Sequence, residues 1–148
     1  MSVLAAIRPD DWNLALFVHI LGAMVLVGSL VLVATSLAAR DVRLGYRTLL
    51  IGVLPGWIVM RGAAEWIAEK EKVNDIDPTP AWVDIGFIAS EPTLLFLIPA
   101  TVLSGLYVRS AGTAETGLGG RPRIAAILVA LTVVAYLIAI WAMTTKPT

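Results

Sequence analysis

The sequence predicts an all-α, polytopic membrane protein, a four-transmembrane-helix up-down bundle, and three observations predict it. Hydrophobic residues make up 58% of the chain and charged residues only 15%, against roughly 45–50% and 25% in ordinary globular domains. Mean hydropathy is +0.84. The apolar residues gather into four runs, each long enough for the ~20 residues that cross a bilayer. A soluble chain of 148 residues has too much surface to cover with so few charges. The whole chain, 1–148, reads as a single integral membrane domain.

The first span covers residues 12–39, and His19 is its only ionisable side chain. Arg8 follows a short apolar start, and the run beyond Asp11 is longer than a signal-peptide core, so this segment reads as a retained helix. Asp10 or Asp11 is placed to cap it. The second span, residues 44–68, has Arg47 at its start and Arg61 and Glu65 in its later half. Pro55 should kink it. The third, residues 82–108, carries Asp84 and Glu91. It follows an Asp77-Pro78-Thr79-Pro80 stop, with Thr79 as cap and Pro80 in the first turn, and Pro92 and Pro99 should bend it. The fourth, residues 124–143, has no charge at all, whereas a buried helix of a soluble bundle carries a polar stripe.

Short connections make neighbouring helices antiparallel. Arg40, Arg43, Arg47, Arg109, Arg121 and Arg123 then share one membrane side, the last three around a glycine-rich stretch from Gly112 to Gly120. The other side has Arg8, Lys70, Lys72 and Lys146, with most of the acids. Lys and Arg favour the cytoplasm, so both termini are expected outside, in the cell membrane of a bacterium (the inner membrane). Trp12, Trp66, Trp82 and Trp141 fall at the outer ends of the four spans, and Tyr46 and Tyr107 at the inner ends. Such amphipathic rings favour the headgroup region.

Ala15, Gly22, Ser29 and Ser36 recur every seven residues on the first helix, and the second carries Gly52 and Gly56, with Gly45 one heptad earlier. Small residues at this spacing admit a close helix contact, either within the chain or at a homodimer seam.

Depth below the span ends at the tryptophan face brings out one constellation. At 1.5 Å per residue, His19, Arg61, Glu91 and Tyr136 all lie roughly 10–13 Å in, with Glu65 about half as deep. Asp84 is near the surface. Arg61 and Glu65 are four apart and share a face; Asp84 and Glu91, seven apart, also share one. Glu91 precedes Pro92, whose missing N–H frees a carbonyl one turn earlier. Charges at such depth are costly and are normally paired or turned toward a cavity. Two readings stay open. In one, Arg61 pairs with Glu65 or Glu91 only to fix helix register. In the other, Glu91 and Asp84 attract a cation or proton in a polar pocket, Arg61 biases their protonation, and His19 contributes a titratable imidazole.

Cysteine is absent, which excludes disulfides and thiolate metal sites. No phosphate loop, dinucleotide fingerprint, HExxH or hydrolytic triad spacing occurs, so an enzyme is not the leading idea. Eleven basic residues balance eleven acidic ones, and no nucleic-acid partner is expected. One histidine cannot give both axial ligands of a bis-histidine haem within one chain.

The stretch Phe17-Val18-His19-Ile20-Leu21-Gly22-Ala23-Met24-Val25-Leu26-Val27-Gly28-Ser29 resembles the first helix of small bacterial membrane proteins related to the CopD copper-resistance family. The shared pattern is a histidine, a glycine three residues on and a second glycine later. It covers 13 of the 148 residues, and the resemblance implies His19 as a position for copper or haem. The chain departs from the pattern in having Gly28-Ser29, no preceding tryptophan and no second histidine.

The expected role is transport-like: binding or passing a cation, proton or small polar solute, as a homo-oligomer or within a larger membrane complex. Two alternatives stand beside it. One is a redox-associated protein binding haem, copper or quinone near His19, and the other is an accessory subunit whose charges specify assembly.

Overall fold

The computed structural model describes residues 10–70, 72, 81–110 and 120–144. Its elements are α1 (Asp10–Ala38), α2 (Val42–Thr48), a π-helical turn (Leu49–Val53), α3 (Leu54–Lys70), α4 (Ala81–Ser90), α5 (Thr93–Ser110) and α6 (Gly120–Thr144). They form four helical rods long and apolar enough to cross a membrane, Leu14–Ala38, Val42–Lys70, Val83–Ser110 and Gly120–Ala142. Large apolar side chains point outward all along them, among them Phe17, Met24, Ile51, Leu95 and Leu137. Leu26, Leu30, Val33, Leu49, Val53, Leu97 and Val129 fill the inside. A surface so apolar is stable against hydrocarbon and not against water.

The first two rods are locked by small residues. A methyl group on Gly22 would lie 2.7 Å from the Met60 amide nitrogen, and one on Gly56 would lie 3.0 Å from that of Leu26. Gly52 faces Ser29, and Gly45 faces Leu37 and Ser36. The pairs run in opposite order along α1 and the second rod, so the seam is antiparallel and lies within the chain. Bare backbone at these points replaces the water-driven attraction that is missing in lipid with close dispersion contact. Gly28 and Gly62 have nothing within 4 Å and take no part.

The α1–α2 junction is tighter than the expected boundaries at 39 and 44. Arg40 adopts a left-handed φ of 65°. The Asp41 amide bonds back to the Ser36 carbonyl at 2.8 Å and the Arg40 amide to Leu37 at 3.1 Å, a Schellman end. Asp41 then caps the next helix, its Oδ1 accepting from the Leu44 amide at 2.9 Å. Two carbonyls and an amide that a hairpin would otherwise leave orphaned are thus bonded by Arg40 and Asp41 alone. Asp10 sits inside α1 as its first residue.

Each proline acts differently. Ahead of Pro55 the helix widens into the π turn, with the Leu54 amide bonding to Leu49. The wider turn lets the proline ring clear the carbonyl one turn back. Pro92 interrupts the third rod outright between α4 and α5, where a single bent helix was expected, while Pro99 remains inside α5. The fourth rod begins at Gly120, earlier than the expected 124, so Arg121 and Arg123 lie in its first turn. The Thr79 cap, the 77–80 stop and most of the glycine-rich stretch fall outside the described residues.

Around the bundle α1 packs on the second rod and on α6, and α6 packs on α4 and α5. The circle closes at the arginine end, where α2 packs on α5 and the Tyr46 ring covers Gly105. At the tryptophan end it is side chains that carry the closest ties between α3 and α4.

Candidate functional site

Those side chains include Arg61 and Glu91, singled out by depth, together with an apolar contact of Ala68 with Val83 and Phe87. Trp57, one turn before Arg61, donates its indole N–H to the Ser90 carbonyl at 3.2 Å. Ser90 is the last residue of α4, beside the Pro92 break, so this bond pins the break against α3. Glu91 is thereby held at Arg61: Nη2 lies 3.6 Å from Glu91 Oε1 and 2.5 Å from Glu65 Oε1. The guanidinium also lies over the Phe87 ring, 4.8 Å from its centre, a cation–π contact. One cation therefore bridges two helices through two carboxylates and one ring.

The burial is asymmetric. The Arg61 side chain is 18% exposed, Glu65 54% and Glu91 66%. Arg61 is largely buried between the rods, and both acids are exposed. Three charges give a net of minus one, so one carboxylate is left in excess.

Tyr136 meets this cluster from α6. It is buried, 5% exposed, with Thr93 and Trp57 beside its hydroxyl and Arg61 within electrostatic reach. No polar atom stands at hydrogen-bonding geometry to the hydroxyl, and the same is true of Arg61 Nη1. Buried Ser104 Oγ on α5, toward the arginine end, is the third such atom among the described residues.

Three carbonyls beside the Pro92 break, those of Phe87, Ala89 and Ser90, accept hydrogen bonds. The Thr93 hydroxyl donates to the Ala89 carbonyl at 2.8 Å, the Glu91 amide to Phe87 at 2.9 Å, and Trp57 takes Ser90. These carbonyls face the chain's own donors.

His19 lies at the expected level but on another seam. Its Nδ1 donates to the Met60 carbonyl at 3.0 Å, at the α1–α3 contact opened by Gly22. Met60 and Arg61 are neighbours in sequence yet project from α3 in different directions, Met60 toward α1 and Arg61 toward α4. Asp84 is exposed on α4, and no described residue pairs with it. The structure thus joins Arg61, Glu65, Glu91 and Tyr136, sets His19 behind them, and leaves Asp84 apart. Among the described residues no three of His, Asp and Glu gather as a metal-ligand group.

Trp57, Phe87 and Thr93 belong to the site and were not among the residues chosen by depth. Two of them had a signal. Trp57 is the one tryptophan away from the headgroup belt and lies four before Arg61, and Phe87 lies four before Glu91, each spacing placing the pair on one face. No family model, no curated protein and no solved structure matches this chain.

Proposed function

We propose that this chain is a bacterial inner-membrane protein, with both termini outside, that binds or passes a small cation or a proton. The carrying observation is a single guanidinium held between exposed carboxylates from two different rods, with one negative charge in excess. A lone acid in that setting attracts a cation or takes a proton, and Arg61 holds it in place. The six arginines at the opposite end support the orientation. Four rods enclose little space, which favours a pathway completed in a homo-oligomer or a larger complex.

The test is flux in reconstituted vesicles loaded with a pH-sensitive dye, under Na+, K+ or pH gradients. Dissipation above empty vesicles is expected, falling at least ten-fold in Glu91→Gln with the melting temperature kept. No flux above empty vesicles, or undiminished flux in Glu91→Gln, rejects the reading and leaves an assembly role for the charges.

A second reading has one observation in its favour. Donation from Nδ1 to Met60 fixes His19 so that Nε2 holds the lone pair, the orientation seen in metal-ligating histidines. It is the reading that kinship with the CopD family would support, with copper or haem as the group bound. The described donor set does not complete such a site within one chain, and a second ligand would come from another subunit. An absorption spectrum of the purified protein, with and without added Cu2+ or haemin, tests it. A band that persists in His19→Ala rejects it.

A further inference from the structure

Arg61 has two sides, and the acids use only one. Nη2 meets Glu65 and Glu91, whereas Nη1 is buried without a partner. The Tyr136 hydroxyl is also buried without a partner, beside Trp57 and Thr93 and within electrostatic reach of Arg61. Trp57 and Thr93 give their hydrogens to the Ser90 and Ala89 carbonyls, and neither stands at full hydrogen-bonding geometry to the phenol. Two strong donors from different rods are therefore left without a partner at hydrogen-bonding geometry, in a medium where unmet donors are costly.

We propose that Arg61 Nη1 and the Tyr136 hydroxyl bind the carbonyl oxygen of a neutral, lipid-soluble ligand of the quinone class. Both groups donate and neither needs to accept, which selects an acceptor oxygen. Charge then selects among acceptors. Arg61 is already over-neutralised by Glu65 and Glu91, so a carboxylate or other anion would add a second excess negative charge in a low dielectric. A neutral carbonyl adds none. Access points the same way. The bridges between α3 and α4 at this level are side chains, Trp57 to Ser90 and Arg61 to Glu91 and Phe87, and nothing lies within 4 Å of the Cβ position of neighbouring Gly62. The Gly62 flank is open, and the Trp57 and Phe87 rings beside the site suit a planar ring.

The site extends beyond the cation reading and stands or falls separately from it. The experiment titrates the purified full chain in detergent with menadione, following tryptophan quenching and melting temperature, with decanoate as the anionic counterpart. Saturable menadione binding is expected, weakened at least ten-fold in Tyr136→Phe, a change that leaves the melting temperature of the free protein intact. Tyr107→Phe, at the opposite membrane face, should keep it. Quenching without saturation, or equal binding in Tyr136→Phe, overturns the proposal and leaves the donors to water. Decanoate binding more tightly than menadione overturns the choice of a neutral ligand.

Discussion

Arg61 pairs unequally with its two acids, and the inequality is measurable. Glu65 is at 2.5 Å and one turn away on the same helix, whereas Glu91 is at 3.6 Å across the gap. Removing Glu91 leaves Arg61 paired, but removing Arg61 strands two carboxylates at once. In detergent denaturation Arg61→Ala should therefore cost the most of the three alanine changes. A double-mutant cycle should give about 1 kcal/mol of coupling for Arg61–Glu65 and less for Arg61–Glu91. Coupling near zero for both pairs would mean that the charges are fully hydrated and the geometry contributes nothing to stability. Arg40 supplies a second case at this scale. It occupies the left-handed position where glycine is usual, at a cost of about 1 kcal/mol. Arg40→Gly should raise the stability by a comparable amount, and a lower melting temperature would show instead that the Arg40 side chain makes a compensating contact.

The first two rods show that the same residue type does different work at different points of one element. A Cβ at Gly22 would press on Met60 backbone, which has no flexible end to move, and one at Gly28 would meet nothing. Gly22→Ala should destabilise by about 1–3 kcal/mol, the usual range for overpacking. Gly28→Ala should be neutral or should stabilise by up to about 1 kcal/mol through lower backbone entropy. Thermal melts of the two variants in one detergent decide the point, and equal losses would mean that the seam does not depend on backbone contact. Gly22→Ala should also disturb His19, whose bond to the Met60 carbonyl exists only at that separation. The heptad of small residues on α1 and the glycines of the second rod were readable from spacing alone. Their mutual pairing was not, because spacing names a face but not the face it meets.

For the whole molecule the governing fact is that the outside is as apolar as the inside. Orientation then rests on the ends, where exposed Arg40, Arg43, Arg47, Arg109, Arg121 and Arg123 lie together. Cysteines placed singly at Ser110 and Asn74 and exposed to an impermeant label in intact cells should react at position 74 and not at 110. The reverse pattern would invert the protein. The thin contact between α3 and α4 also belongs to this scale. α6 draws α4 to itself and α1 draws α3, so the two helices that carry the charges are the pair bridged by side chains.

Composition and the lengths of the apolar runs determined the all-helical, four-span architecture by themselves, because in hydrocarbon every backbone group must be bonded within its own segment. The tryptophan belt and the depth of Arg61, Glu91 and Tyr136 were equally local, since depth is only a count of residues along a helix. Tertiary structure alone decided which side chains at that depth meet. His19 and Arg61 share a level but not a face, and the direction of each face depends on the turn inserted before Pro55, the break at Pro92 and the rotation of each rod about its axis. Small changes in those angles move a side chain by several ångströms without changing the hydrophobic pattern. For that reason the level of the site could be read from the sequence, and its membership could not.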